Sequence, residues 1–308
     1  MSTVRRWIQA ACMAAIVAII GLPAQAAEDA HVLVLGRISD DPKEHYDQLK
    51  PLLDYVVPRM REVGITEGRI LMARDAQQMA SYLRRNRVDW VTETASTAVQ
   101  LQQRAAARPI LLTERNGVSH YHSVFFVRKD SPIRSLQDLP GHTVALQSIA
   151  STSAYMVPMT ELLDAGLSPE ILLAPSDMPA PDRVGYVFAR SELNIASWVH
   201  KRLLDAGALS NLDWNDPSRL PDAFRGDFRV IHESHPYPRA LELVRSSLDP
   251  KVEKRLREVL LQAADDPEAR QAMRLFFNTS RFLPLDPASE RTLDVLRAGV
   301  QRVRSEVE

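Results

Sequence analysis

The chain has 308 residues, with 38 basic and 39 acidic side chains and a formal net charge of −1 at pH 7. That length supports one large or two medium domains. No long basic stripe runs through it, which argues against nucleic acid or an anionic membrane surface as the partner.

The first 26 residues read as a secretory leader. They carry Arg5 and Arg6, an apolar run from Ala10 to Leu22, and then Ala24-Gln25-Ala26, the charged, apolar and small-residue pattern of a cleavable signal peptide. The run is 13 residues long, short of the roughly 20 that a membrane-spanning helix needs. The single cysteine, Cys12, lies inside it. Cleavage therefore leaves a chain with no disulfide, no thiolate metal site and no cysteine nucleophile. Losing Arg5 and Arg6 moves the formal charge from −1 to −3. The expectation is an exported, near-neutral chain located in the periplasm.

Beyond the leader, strand-like and helix-like segments alternate. His31–Leu35 reads as a buried strand, and Pro42–Val63 as a helix carrying Leu49, Leu52, Leu53, Val56, Val57 and Met60 on one face. Strands follow at Arg69–Ala73, Val88–Val91 and Pro109–Thr113, separated by helices at Asp75–Arg85 and Ala95–Arg104. Such βαβ alternation predicts a mostly parallel sheet covered on both faces. Asn116-Gly117 marks a turn. Strands are then predicted at Ser123–Arg128, Thr143–Gln147, Ile171–Ala174, Val184–Ala189 and Phe228–His232. Helices are predicted at Thr152–Ala165, stopped by Gly166, and at Glu192–Asp205, ending near Gly207. From Asp249 to Glu308 the chain reads as helical, with Asp249-Pro250, Asp266-Pro267 and Asp286-Pro287 each giving the cap-then-proline start.

Two polar segments, Glu114–His120 and Glu233–Pro238, bracket a middle block with its own βα units. A chain that leaves one domain, builds a second and returns gives two lobes on a two-strand hinge. The predicted division is 27–115 plus 234–308 for one lobe and 116–233 for the other. Binding crevices in open α/β sheets lie at the carboxyl ends of strands, and hinge motion can shut two lobes around a small ligand.

Ser151-Thr152-Ser153 opens a predicted helix immediately after a strand. Hydroxyl donors there sit beside unpaired backbone N–H groups and the positive end of the helix dipole, a cradle for an anion. The plainer reading is one ordinary N-cap followed by loop.

The segment around that triplet resembles the periplasmic binding proteins for phosphate, phosphite and phosphonate uptake. The residues carrying the resemblance are Tyr121-His122-Ser123, Val127-Arg128-Lys129-Asp130-Ser131-Pro132-Ile133, Leu136, Asp138-Leu139, Gly141, Thr143-Val144-Ala145 and Ser151-Thr152-Ser153-Ala154-Tyr155. Weaker similarity covers most of the mature chain. The resemblance implies an α/β, two-lobed type 2 periplasmic-binding-protein-like fold with a two-strand hinge. It also implies that Ser151, Thr152 and Ser153 hold an oxyanion by charge-assisted hydrogen bonds, with Tyr121 nearby.

Two motifs depart from the family pattern. Where a pocket tyrosine is usual, this chain has Ala98, and Glu93, Thr94 and Ser96 stand at the strand-to-helix junction. These three supply a different polar wall, although Thr94 also fits a plain helix cap. Where a small-Ser-His element is usual, the run is Arg190-Ser191-Glu192-Leu193-Asn194. Arg190 suits a carboxylate or phosphoryl group. Glu192 fits pairing with Arg190, receiving a ligand amine, or simply the first turn of a helix. Asn194 completes this wall, and Asp213-Trp214 falls where an acidic pocket residue is sought.

Histidine pairs at His120/His122 and His232/His235 lack a thiolate or a clear third ligand, so hinge hydrogen bonding is expected and no metal or cofactor is. No Gly-x-Ser-x-Gly, Walker or His-Glu-x-x-His signature occurs. The function expected is a monomeric solute-binding protein that passes a small oxyanion to an ABC-type permease. A ligand-sensing subunit of a membrane signalling protein is the alternative, and an enzyme on the same fold is a more remote one.

Overall fold

The computed structural model describes residues 31–308, so the leader expected at 1–26 lies outside the described residues. Strands β1 (Val32–Ile38), β2 (Glu67–Ala73) and β3 (Trp90–Glu93) run parallel, joined by helices α1 (Pro42–Val56) and α2 (Ala76–Arg84). Asp41 and Asp75 cap those helices, accepting from the N–H groups of Glu44 and Gln78. The predicted helix to Val63 tightens into a 3₁₀ helix over Val57–Val63, since Pro58 has no N–H for the ladder. Helix α3 (Ala95–Ala105) leads to β4 (Arg108–Arg115).

After the short β5 (His120–Tyr121), the chain builds β6 (Ser123–Arg128), β7 (Thr143–Leu146), a π turn at Thr152–Met156, and α4 (Val157–Asp164). It continues through β8 (Pro169–Ile171), β9 (Val184–Phe188), α5 (Glu192–His200), β10 (Ala206–Ser210) and β11 (Phe228–Glu233). It returns by β12 (Tyr237–Pro238) to β13 (Leu241–Val244), α6 (Pro250–Gln262), α7 (Arg270–Leu275), β14 (Thr279–Leu283) and α8 (Pro287–Glu306).

Two six-stranded sheets result, in the orders β14-β4-β13-β3-β1-β2 and β11-β6-β10-β7-β9-β8. Both are mixed: three of the five pairings in the second are parallel, against two of five in the first. In the first, β13 runs antiparallel to both β3 and β4, so the carboxyl ends of β1, β3 and β4 share one edge. Between the two sheets, β5 pairs antiparallel with β12, joining Tyr121 to Tyr237 and His120 to Pro238.

Three apolar clusters hold this together. One lies against the first sheet around Leu33, Trp90 and Phe276, and another lies against the second around Phe126, Val187 and Ile195. The third runs through both halves and takes in Leu293, Leu296, Val300 and Val303 of α8. Those residues recur at helical spacing, and α8 lays them against α3 and α4 together. Arg304 reaches Gln100 on α3 at 2.7 Å, and Arg302 reaches Asp164 on α4 at 2.5 Å. One helix therefore straps the two lobes.

Besides the short β5 and β12, which lie in the segments read as linkers, three strands were absent from the sequence expectation. The predicted Glu192–Asp205 helix stops at His200, and β10 follows, with Gly207 inside it rather than at a helix end. A Cβ at Gly207 would lie 2.7 Å from both Ile195 Cγ2 and the Phe126 ring, so close packing requires the glycine there. The two others are β13 and β14, the latter interrupting the helical stretch predicted from Asp249 to Glu308. The strand predicted at Ile171–Ala174 forms instead at Pro169–Ile171.

Candidate functional site

The Ser-Thr-Ser segment owes its shape to Pro158. Proline has no N–H, so no helical donor reaches the Ala154 carbonyl; the Gln147 N–H takes it from β7's exit loop at 3.0 Å. Met156 N–H reaches back five residues to the Ser151 carbonyl at 3.0 Å, which widens the turn to a π helix. Ala154 is left outside helical geometry at φ −115°, ψ 17°.

Within that turn the three hydroxyls take different roles. Ser151 is a true cap, accepting from Ala154 N–H at 3.1 Å. Thr152 reaches across to the other lobe, where its hydroxyl lies 2.6 Å from Ser96 Oγ and accepts from Ser96 N–H at 3.2 Å. Ser153 is held through its backbone, its carbonyl accepting from Ser123 Oγ at 2.7 Å, and its side chain lies beside the Tyr121 phenol. Ser123 Oγ is also 2.9 Å from the Tyr237 hydroxyl, and the Tyr121 and Tyr237 rings lie 4.7 Å apart. Burial pushes the Tyr121 phenol up to about 12, opposed by the Ser153 hydrogen bond and by Arg239.

The first lobe meets this turn with the start of α3. Thr94 occupies the cap position, yet its side chain makes no capping bond, which leaves the hydroxyl free of that duty. Glu93 is buried at the end of β3; it accepts from Ile38 N–H at 2.8 Å and pairs with Arg37 at 3.1 Å. Burial raises its carboxyl above the usual range, and Arg37 opposes that shift. Glu93, Thr94, Ser96, Tyr121 and Ser151–Ser153 are thus brought to one place between the lobes.

The second departure from the family pattern is placed differently. Arg190 is exposed in a left-handed turn at φ +71°. Asn194 secures that turn locally, its amide donating to the Ala189 carbonyl at 2.7 Å. Glu192 sits in the first turn of α5 and pairs with Arg219 at 3.5 Å, not with Arg190. Burial raises its carboxyl, and Asp213 adds to the rise. Asp213 also acts on Tyr121, Tyr237 and Arg239, so it lies near the same centre. The histidines bond within the protein: His120 with Ser289 at 3.1 Å and His232 with Glu161 at 2.6 Å.

Sequence reasoning missed the cationic side of the first lobe. Arg37, Arg115 and Arg239 come from the end of β1, the end of β4 and the returning linker. Glu242 is wholly buried beside them, accepting from Trp90 Nε1 at 2.6 Å, Thr113 Oγ1 at 2.6 Å and Thr92 Oγ1 at 2.9 Å. The available signal was position, since Arg37 and Arg115 end strands on the crevice-forming edge.

The family model for "ABC transporter, phosphonate, periplasmic substrate-binding protein" matches residues 36–289. This chain belongs to that family. Among solved structures, it is similar to XAC2383 from Xanthomonas citri bound to chloride ion, with 59% identity, 90% of this chain and 100% of that one covered, and a TM-score of 0.86. The same Xanthomonas citri protein bound to ATP matches at 58% identity, with the same coverage of 90% and 100% and a TM-score of 0.85. PhnD1 from Prochlorococcus marinus in complex with methylphosphonate shares the fold at 17% identity, covering 89% and 99% of the two chains with a TM-score of 0.63. The fold is the two-lobed α/β type 2 periplasmic-binding architecture. Membership makes the chain a periplasmic substrate-binding component, whose class presents a small ligand to an ABC permease.

Proposed function

We propose that this protein captures a small oxyanion, of the phosphate, phosphite or phosphonate type, between its lobes and delivers it to an ABC transporter without chemical turnover. The observation that carries this reading is the meeting of two helix starts, the Ser151–Ser153 turn and the Thr94–Ser96 start of α3, joined through Ser96 and Thr152 at 2.6 Å. Helix N–H groups and hydroxyls from both lobes then converge on one point, the arrangement that favours an anion. Chloride and ATP, bound by the Xanthomonas citri relative, are both anionic, which supports the same ligand class here. The leader at 1–26 exports the chain and is removed. The lobes move about the β5–β12 pair, and the protein works as a monomer.

Binding without turnover agrees with the hydroxyl partners. Thr152 bonds a serine, Ser153 lies beside a tyrosine and Ser151 bonds its own turn, so none has a base poised to activate it. The departures at Ala98 and Glu192 favour a second reading, in which the same closure reports to a membrane sensor. Uptake of the ligand in cells lacking the protein separates the two, since only the transport reading predicts its loss.

The test is a thermal-shift and calorimetry panel on the mature chain with phosphate, phosphite, methylphosphonate, aminoethylphosphonate, sulfate and carboxylates. A ligand at 100 times its Kd adds about 2.7 kcal/mol of stability. Failure of every oxyanion to shift the melting point refutes the proposal.

A further inference from the structure

Arg115 is 7% exposed, and buried arginines are almost always paired. This one is not. Among the described residues it makes no ion pair; Arg37 is matched by Glu93 at 3.1 Å, and the Glu242 oxygens are taken up by Trp90, Thr92 and Thr113. Its side-chain hydrogen bond is to the Thr92 hydroxyl at 3.3 Å, and its Nε has no partner. Burial holds the guanidinium down at about 9, with Arg37 and Arg239 adding to the effect and Glu242 and Glu93 opposing it.

The surroundings keep that cation in place. Its guanidinium carbon lies 4.4 Å from the centre of the Phe277 ring, and that of Arg37 lies 4.9 Å from the same ring. Phe277 and Asn278 both take left-handed backbone at φ +52°, a conformation that costs a bulky residue and persists where structure enforces it, commonly at ligand sites. Arg239 donates to the Arg115 carbonyl at 2.6 Å. Arg115 and Arg239 both act on the Tyr121 phenol, which lies beside Ser153. Tyr121 pairs with Tyr237, Arg239 follows that strand and holds the Arg115 carbonyl, and Ser123 joins Tyr237 to Ser153, so the linker strands connect this cationic shelf to the hydroxyl turn.

We propose that Arg115, stacked on Phe277 and flanked by Arg239, receives a second anionic group of the ligand, so that the preferred ligand is a phosphoanhydride such as diphosphate rather than a single oxyanion. The inference rests on the anion-binding reading above. One anionic group occupies the Ser151–Ser153 turn, where donors are hydroxyls and N–H groups. The other meets the guanidinium that the fold leaves unpaired, where charge-assisted and bidentate contacts are available.

The experiment is isothermal calorimetry with phosphate and with diphosphate on the wild type, Arg115→Met and Arg115→Lys, alongside ligand-free melting of each. Wild type binds diphosphate at least tenfold tighter than phosphate. Arg115→Met brings that ratio close to one, and its ligand-free melting shows that it folds. Arg115→Lys, which keeps a cation, retains part of the ratio and covers the case in which the methionine variant fails to fold. Phosphate binding with no preference for diphosphate overturns this inference alone, as does a preference that survives in Arg115→Met. Binding of neither anion overturns the anion reading beneath it as well.

Discussion

Replacing Thr152 by Val removes one hydroxyl from the contact between the lobes and keeps the side-chain shape. Thr152 and Ser96 are 2% and 1% exposed, so water does not take over the lost bonds. The Ser96 hydroxyl can rotate toward another acceptor, but its backbone N–H, now 3.2 Å from Thr152 Oγ1, is fixed at the start of α3. Leaving such a donor buried and unpaired costs about 1–3 kcal/mol. At about 2–4 °C per kcal/mol for a chain approaching this size, the ligand-free melting temperature falls by several degrees. Thr152→Ser keeps the hydroxyl and loses one methyl, worth about 0.8 kcal/mol. Differential scanning calorimetry of the three proteins gives the order wild type, Ser, Val, and calorimetric titration shows anion affinity falling in the same order. A valine variant that melts with the wild type and binds as well refutes the claim that this hydroxyl couples the lobes and the ligand.

Glu242→Leu strands the Trp90 N–H and removes the nearest carboxylate from Arg115, so it destabilises by about 2–5 kcal/mol in urea titration, whereas Glu242→Gln loses less; equal losses contradict the network. A Cβ at Gly299 would lie 2.5 Å from Thr160 Cγ2. Gly299→Ala therefore loses stability despite its gain of about 1 kcal/mol in helix propensity, and adding Thr160→Ala restores it; a Gly299→Ala protein more stable than wild type refutes the strapping contact. Burial and Arg37 lower the His45 pKa below its ordinary 6.5. The unfolded chain then binds that proton more readily, so stability drops as pH falls below about 6.5. His45→Gln, compared with wild type by urea midpoints at pH 7.5 and 5.5, shows the smaller drop, and identical slopes contradict the assignment. Glu93 and Glu242, with raised pKa values, act in the opposite sense and are common to both proteins.

Much of the fold was legible because hydrophobic periodicity and capping are local. Asp41, Asp75, Asp249, Asp266 and Asp286 each cap the helix that their position announces. The missed strands fail for identifiable reasons. β10, Ala-Gly-Ala-Leu-Ser, has small residues because Ile195 and Phe126 pack on it, which mimics a helix end. β14 is five residues between helices, and it gains strand character only from β4 beside it. The hydroxyl turn was legible as a motif, whereas its partners were not. Ser96 is 56 residues from Thr152, and Glu192 finds Arg219 rather than the adjacent Arg190. Arg115 stood in a segment that reads as polar linker; only the fold shows it buried, with no ion pair among the described residues.

The most direct measurement is a crystal structure of the mature protein grown with a phosphonate or with diphosphate. An oxyanion is expected within hydrogen-bond distance of the Ser151–Ser153 turn, between the lobes and facing the start of α3. An anion bound elsewhere, with that turn making only its contacts within the protein, contradicts this.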